Sequence, residues 1–162
     1  MTKNLYILRH LPGSGATTMA DALVALAPDK MVRLEADDYF LDKKGNYSYN
    51  PTLISEAHED CKQRFLKAMN KELDIIISNT SVKFWEWIDY KTLAEKEGYM
   101  VHVITKENHH DGMTIHDVPM TTVMRMKRNF EVNLLGQKLS NTRSYTALKQ
   151  SIDKEQNRLG YK

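Results

Sequence analysis

The joint between residues 5 and 18 constrains the fold of this chain more than any other part of the sequence. Leu5 to Arg9 is a short apolar run that ends before a proline and two glycines, and such a run is typical of a buried strand. From Thr17 onward the apolar residues recur at helical spacing, through Met19 and Leu23. A strand, a glycine-rich turn and a helix in this order place backbone N–H groups at a helix N-terminus, where they can bind an anion.

The turn differs from a complete phosphate-binding loop at one decisive position. The pattern G-x-x-x-x-G-K-[ST] would place its first glycine at His10, its lysine at Ala16 and its magnesium-binding hydroxyl at Thr17. The loss of the lysine removes a charge-assisted contact that is worth about 1.5–3 kcal/mol. A plain strand–turn–helix joint, in which proline and glycine serve only the geometry, is the alternative interpretation. We call residues 10–17 the glycine loop and predict phosphate binding by Pro12, Gly13, Ser14, Gly15, Ala16, Thr17 and Thr18.

Strands and helices are predicted to alternate along the chain. The residue pattern predicts strands over 5–9, 31–34, 73–77 and 99–104, and helices over 17–27, 51–69, 84–96 and from Pro119 onward. Alternation of this kind is typical of βαβ units, so we predict an α/β fold with a parallel sheet of about four strands and flanking helices. Loops that follow the strands then share one edge of the sheet, where such folds bind ligands.

Composition limits the class of protein and its compartment. A chain of 162 residues with 41% hydrophobic content is large enough for one domain with a continuous core. The net charge of +2 favours no class of partner, because a basic patch can exist within a balanced total. Cys61 is the only cysteine, which excludes an intrachain disulfide and is consistent with a reducing compartment. No apolar run is long enough to cross a bilayer, so we predict a cytoplasmic protein without a membrane partner.

Several short motifs follow one another in an order that resembles a known family. They are LPGSG from Leu11, ADDYF from Ala36, YNP from Tyr49 with Ala57-His58, ISNTS from Ile77 with Trp85-Glu86, and HDVP from His116. The ordered set resembles the small P-loop kinases related to phage polynucleotide kinase, over about residues 4–133. The resemblance implies a three-layer P-loop kinase-like fold, ATP with magnesium as cofactor, and phosphate transfer to a hydroxyl of a nucleic-acid end or a nucleotide.

The same resemblance divides the chain. It implies a kinase-like domain over residues 1–133 that includes a lid over 106–118. We predict that residues 134–162 form a C-terminal helical extension of that domain.

The departures from the family pattern all concern charge. The family lysine corresponds to Ala16, and the family acid at the end of the third strand falls on the neutral pair Ser78-Asn79. The arginine often found after the Asp pair corresponds to Phe40, and Lys106 is the only lysine or arginine in the stretch where the family lid carries arginine. Together these changes remove the positive clamp on the transferred group and an acid near the metal.

One catalytic position of the family is retained. The resemblance places a general base at Asp37, where a carboxylate could accept the proton of an incoming hydroxyl. Capping of a helix or turn by Asp37 and Asp38 is the alternative interpretation, since aspartate often has this role.

Several other side chains are candidates with open alternatives. His10 could donate to an anion or fill the pocket left by a missing glycine. Arg125 and Arg128 could bind a nucleic-acid backbone or replace the lid arginine, or they could lie on a solvated helix face. Trp85 and Trp87 raise the question of base stacking, although packing on the sheet is the alternative at this spacing.

The histidines of the predicted lid suggest a metal site only superficially. His109, His110 and His116 have no cysteine or carboxylate at a recognised ligand spacing; Asp111 and Asp117 are merely nearby. A polar, solvated lid is the preferred interpretation.

Three functions follow from these observations. The first is a degenerate kinase-like protein that binds a nucleotide, a nucleic-acid end or a partner protein, with ATP and magnesium binding weakened and phosphotransfer lost or strongly reduced. The second is an active kinase in which Ala16 is an inactivating substitution, and the third is a protein-binding decoy or regulator that uses the fold as a scaffold. A basic side chain from another segment at the glycine loop, together with a carboxylate at the metal position, would contradict an inert protein.

Overall fold

The glycine loop lies at the carboxyl edge of a four-stranded parallel sheet. A computed structural model describes residues 2–109 and 118–132 of the chain. The chain divides into two compact units, Met1–Phe130 and Glu131–Lys162, and the fold described here is that of the first. The predicted extension over 134–162 and the histidines at 110 and 116 lie outside the described residues.

The sheet confirms the predicted parallel arrangement. Its strands are β1 (Asn4–His10), β2 (Met31–Leu34), β3 (Asp74–Ile77) and β4 (Met100–Lys106), in the order β2-β3-β1-β4. All three pairings are parallel. The carboxyl ends of the strands therefore meet at one edge, and residues that follow different strands come together there.

The faces of this sheet are covered by α1 (Ala16–Leu26) on one side, and by α2 (Ile54–Asn70) and α3 (Ile88–Lys96) on the other. A fourth helix, α4 (Met120–Asn129), follows, and short 3-10 turns lie at Ala36–Phe40, Pro51–Leu53 and Phe84–Glu86. The single helix predicted over 84–96 is wrong, because Trp87 interrupts it with φ −131. Glu86 accepts a hydrogen bond from the backbone N–H of Lys83 at 2.9 Å and closes the turn before the helix begins.

The core lies in two layers, one on each face of the sheet. Alternate residues of a strand face opposite sides, so Leu5 and Ile7 of β1 pack toward α2 and α3, and Leu8 packs toward α1. Ile76 of β3 joins Leu8 in the second layer. Each fully buried aliphatic side chain contributes about 1.5–3 kcal/mol of transfer free energy, and the two layers hold the strand ends, and hence the loops, in place.

Candidate active site

The glycine loop has the backbone shape of an anion-binding turn. Gly13 and Gly15 adopt left-handed φ angles of 81° and 77°, which strain any residue with a Cβ. The backbone N–H of Ser14 donates to the carbonyl of Leu11 at 3.2 Å and closes the turn. Because α1 begins at Ala16, the N–H groups of its first turn have no partner within the helix and can serve an anion.

Ala16 occupies the position of the lysine in the phosphate-loop pattern. Its methyl group is 3% exposed and packs in the layer formed with Leu8, Ala20 and Ile76. The alanine therefore contributes apolar packing at the base of α1 and no charge to the loop.

A lysine from another strand reaches the loop. β1 and β4 pair in register along their whole length, and the last pair is His10 with Lys106. Lys106 Nζ donates to the carbonyl oxygen of Ser14 at 2.5 Å, and Asn108 Nδ2 donates to the carbonyl oxygen of Gly13 at 3.2 Å. The lysine singled out in the predicted lid thus contacts the glycine loop.

A carboxylate also stands beside the predicted magnesium ligand. Glu35 directly follows β2, and its Oε2 accepts hydrogen bonds from Thr17 Oγ1 at 3.4 Å and from Ser78 Oγ at 3.1 Å. We call Thr17, Glu35 and Ser78 the hydroxyl–carboxylate cluster. The position of the family acid at the end of β3 is occupied by the neutral residues Ser78 and Asn79, and a carboxylate from the end of β2 lies next to Thr17 instead. Sequence reasoning overlooked Glu35, although its place at the end of a strand was a signal.

Two further carboxylates and an arginine hold this cluster in place. Arg33 contacts Glu35 Oε2, and it also pairs with Asp21 at 2.8 Å and with Asp38 at 3.1 Å. Burial raises the pKa of Glu35, and the Arg33 guanidinium opposes part of this rise. The neighbouring charges of Asp37 and Asp38 raise the pKa of Glu35 further.

The adjacent residues Asp37 and Asp38 have different partners. Asp38 pairs with Arg33 and, at 3.0 Å, with Arg64, and it accepts a hydrogen bond from the backbone N–H of Glu35 at 3.3 Å. These contacts correspond to the predicted capping role.

Asp37 has different surroundings. Its carboxylate is half-buried and accepts a hydrogen bond from Tyr47. Burial, with the charge of Asp37, raises the pKa of the Tyr47 phenol to about 12. The proton of Tyr47 therefore stays in place at neutral pH, and Asp37 remains the predicted base.

Asn79 and Phe40 stabilise the turn that carries these aspartates. Asn79 Oδ1 accepts from the backbone N–H of Ala36 at 2.8 Å, and its Nδ2 lies 3.9 Å from Cys61 Sγ. Phe40 is buried and makes an edge contact with Tyr49, with ring centroids 5.1 Å apart. An aromatic core contact thus occupies the position of the family arginine.

His10 is buried between two carbonyl groups. Its Nε2 lies 3.0 Å from the carbonyl oxygen of Ser78, and its Nδ1 lies 3.1 Å from that of Leu11. This geometry favours the interpretation that the ring fills the pocket and joins β1 to the segment after β3.

Arg9 is a buried cation that the sequence reasoning missed. Its guanidinium donates to the carbonyl oxygens of Ser81 and Val82, each at 2.9 Å. The same group stacks over the rings of Trp87 and Phe130, at 5.3 and 4.8 Å from their centroids. Arg9 therefore fixes the segment after β3, and the end of α4, beside the glycine loop. Its place at the end of a buried strand was the only available signal.

One basic residue of α4, Arg125, borders an open groove. Arg125 and Arg128 are both exposed. A groove of about 200 Å³ is lined by Val82, Lys83, Glu86, Arg125, Met126 and Asn129. Trp85 lies on the same 3-10 turn as Glu86 and is 60% exposed, whereas Trp87 is 7% exposed and packs on Phe84.

The hydroxyl–carboxylate cluster contains a single carboxylate and two hydroxyl groups as candidate donors for a metal ion. Residues 2–109 and 118–132 contain no group of three or more histidine, cysteine, aspartate or glutamate side chains that could hold an ion. His109 pairs instead with Glu107 at 2.8 Å, on the surface. The hydroxyl–carboxylate cluster suits Mg²⁺, which takes oxygen ligands and obtains most of them from water and substrate phosphates.

Within residues 2–109 and 118–132, no helix combines the length and the apolar character that a membrane span requires.

Comparison of the sequence with known proteins finds several relatives, and one of them is a human protein. No family model matches the chain. NEDD4-binding protein 2 from Homo sapiens is 38% identical over 98 residues, which are 60% of this chain and 5% of that protein. The chain therefore corresponds to a small part of a much longer relative.

Comparison of the structure with solved structures shows the fold. A chain of the Pnkp1/Rnl/Hen1 complex gives a TM-score of 0.52 at 17% identity and covers 87% of this chain and 44% of that one. Chaetomium thermophilum Kti12 in complex with ADP-AlF3 gives 0.53 at 11% identity, covering 94% and 97%. The Mycobacterium tuberculosis APS kinase CysC gives 0.50 at 8% identity, covering 81% and 99%. The chain has a P-loop kinase-like fold.

Proposed function

We propose that this chain binds a magnesium–nucleotide complex, with ATP as the physiological class, and that its phosphotransfer is strongly reduced but not abolished. Lys106 at the glycine loop and Glu35 beside Thr17 meet the condition that speaks against a fully inert protein, but the Lys106 amine is engaged by the carbonyl of Ser14 and does not take the place of a lysine at position 16. One observation carries the proposal. The glycine loop keeps the backbone shape and the Thr17–Glu35 contact that serve a nucleotide, while the buried methyl group of Ala16 takes the place of the loop's own cation.

Binding depends on the backbone more than on side chains. The unpaired N–H groups at the start of α1, beginning with Ala16, carry the positive end of the helix dipole toward a phosphate. Because these donors are fixed by Gly13 and Gly15, they cost little ordering when the anion arrives. The absent lysine weakens the complex by about 1.5–3 kcal/mol, which lowers affinity without abolishing it.

Transfer is more sensitive than binding to the missing charge. Phosphoryl transfer spreads negative charge over the transferred group, and enzymes accelerate it mainly by positioning and by electrostatic stabilisation. Thr17 and Glu35 would hold the magnesium ion, which supplies charge neutralisation at the phosphates. Asp37 would accept the proton of the attacking hydroxyl.

A hydroxyl of a nucleic-acid end is the acceptor that we propose. The groove beside α4 brings Lys83 and Arg125 together, and Trp85 is exposed on the adjoining turn. Cations for phosphates and an aromatic ring for bases are the usual components of a single-strand site. One of the structures with this fold is named as an RNA repair complex, which supports the same class of acceptor.

A matched pair of glycine substitutions tests nucleotide binding. Gly15 and Gly98 have the same φ of 77°, and a Cβ at Gly98 would meet nothing within 4 Å. Alanine at either position is expected to lower the free energy of unfolding by about 1 kcal/mol through backbone strain. Only Gly15→Ala is expected to weaken ADP binding in the presence of magnesium, by at least about 10-fold, because its strain displaces the anion-binding N–H groups.

Calorimetry with ADP, with and without EDTA, measures this difference. If the wild-type chain bound no nucleotide, the proposed function would be wrong. Equal ADP affinities for Gly15→Ala and Gly98→Ala would show that the nucleotide binds elsewhere.

The raised pKa of Glu35 predicts a pH dependence of stability. Burial raises this pKa above its ordinary value of 4.5, so the folded state binds the proton more tightly than the unfolded state does. The contribution of Glu35 to the free energy of unfolding should therefore fall as pH rises from about 4.5 through the raised pKa, and then become constant. Chemical denaturation of the wild type and of Glu35→Gln, at a series of pH values without magnesium, gives this contribution as a difference.

Asp42 provides a control of opposite sign. A hydrogen bond from the side chain of Asn46 lowers the pKa of Asp42 below 3.8. Its contribution, measured with Asp42→Asn, should be present above pH 3.8 and should be lost as pH falls through the lowered value. The same sign of pH dependence for both carboxylates would contradict the assignment for Glu35.

A further inference from the structure

The contacts of Lys106 orient a peptide group of the glycine loop. The amine of Lys106 holds the carbonyl oxygen of Ser14 at 2.5 Å. In a trans peptide, the carbonyl group and the N–H group of the following residue point in opposite directions, and the described residues contain no cis peptide. The N–H of Gly15 therefore points away from Lys106, on the opposite side of the loop backbone.

The sheet makes this contact a fixed feature. Lys106 is the last residue of β4 and lies opposite His10, the residue that opens the glycine loop. Its side chain is part of a half-buried contact that joins residues 92 positions apart. β4 pairs with β1 along seven residue pairs, so the backbone of Lys106 is held next to the loop.

An uncharged donor would be sufficient to fasten the loop to β4. Asn108 Nδ2 already makes such a contact, to the carbonyl oxygen of Gly13 at 3.2 Å. The lysine brings in addition a full positive charge to the rim of a loop whose own position 16 has none. That charge lies on the carbonyl side of the Ser14–Gly15 peptide, so it polarises the peptide and strengthens the N–H of Gly15 as a donor to an anion on the opposite side.

We infer that Lys106 is a positioning residue that compensates for the lysine missing at position 16. Through the carbonyl of Ser14 it aims the N–H of Gly15, and its charge raises the affinity of the loop for the phosphates of a nucleotide. The inference rests on the proposed function, since it concerns the same phosphate site.

Three variants separate the charge from the hydrogen bond. Lys106→Met removes both, Lys106→Gln keeps a donor without charge, and Lys106→Arg keeps the charge. We expect Lys106→Met and Lys106→Gln to weaken binding of ADP with magnesium by about 10- to 100-fold, and Lys106→Arg to stay within about threefold of the wild type. The loss should shrink as salt is raised, because it comes from charge. Lys91→Met is the control: Lys91 pairs with Glu95 on α3 at 2.6 Å, and its loss should leave ADP affinity within about twofold.

A lysine restored at position 16 gives the strongest test of compensation. Ala16→Lys combined with Lys106→Met should recover most of the ADP affinity that Lys106→Met loses. A purely structural contact would not be rescued in this way, and its loss would lower the melting temperature while leaving ADP affinity unchanged.

The outcomes distinguish this inference from the proposed function. Absence of ADP binding to the wild type overturns the proposed function itself. Normal binding by the wild type together with unchanged affinity in Lys106→Gln overturns the role of Lys106 alone. Should Lys106→Met fail to fold, the comparison of Lys106→Gln with Lys106→Arg decides the same question.

Discussion

Replacement of Ala16 by lysine is expected to raise the rate of phosphate transfer by about 100-fold. The new amine would lie in the loop itself, where it can follow the charge that develops on the transferred group. In the proposed function the hydroxyl–carboxylate cluster would hold the metal and Asp37 would act as the base, so the missing component is a cation in the loop. Single-turnover transfer from ATP to DNA, RNA and nucleoside acceptors measures the gain and identifies the acceptor class.

Methionine at the same position is the matched control. Ala16 is buried against Leu8 and Ala20, so any long side chain must leave this layer toward the loop. Ala16→Met makes the same steric demand without the charge and should give no gain. A lysine variant no faster than the methionine variant would contradict the idea that charge limits transfer. Robust magnesium-dependent transfer by the wild type, above that of a Glu35→Gln variant, would instead favour an active kinase.

Substitution of Arg9 by methionine is expected to lower the free energy of unfolding by about 3–5 kcal/mol. The change removes two charge-assisted hydrogen bonds and leaves the buried carbonyl oxygens of Ser81 and Val82 without this donor. It also ends the stacking on Trp87 and Phe130, which links the segment after β3 to α4. Methionine keeps most of the aliphatic volume, so the loss reports the guanidinium group itself.

Chemical denaturation followed by tryptophan fluorescence measures this loss. Arg128→Met is the control, because Arg128 is exposed on α4 and its change should stay within about 0.5 kcal/mol. A loss below about 1 kcal/mol for Arg9→Met would show that other contacts hold the segment after β3.

Local sequence signals were sufficient for the strands and for the loop. The β-branched run at Ile75 to Ile77 predicts β3, and the predicted second strand coincides with β2 (Met31–Leu34). These elements depend on residues that are close in the chain, and the same is true of the left-handed glycines at 13 and 15. The prediction was wrong at Trp87. There the side chain of Glu86 accepts a hydrogen bond from the backbone N–H of Lys83 and closes a separate turn, and a new helix begins after Trp87.

The roles of individual charges could not be read in the same way. Asp37 and Asp38 are adjacent and chemically identical, and only the positions of Arg33, Arg64 and Tyr47 distinguish them: Asp38 pairs with the two arginines, whereas Asp37 accepts a hydrogen bond from the tyrosine. An ion pair depends on distance in space, and neither periodicity nor spacing encodes that distance for residues on different elements.

By itself, the sequence determined a parallel α/β sheet with a glycine loop at its edge and an alanine where a cation belongs, because backbone preference and hydrophobic periodicity act over a few residues. The tertiary structure alone decided that Glu35 meets Thr17 and Ser78, and that Lys106 meets Ser14. The physical reason is the parallel sheet: it aligns the ends of strands that are far apart in the chain, so that charges lost from one segment can be supplied by another.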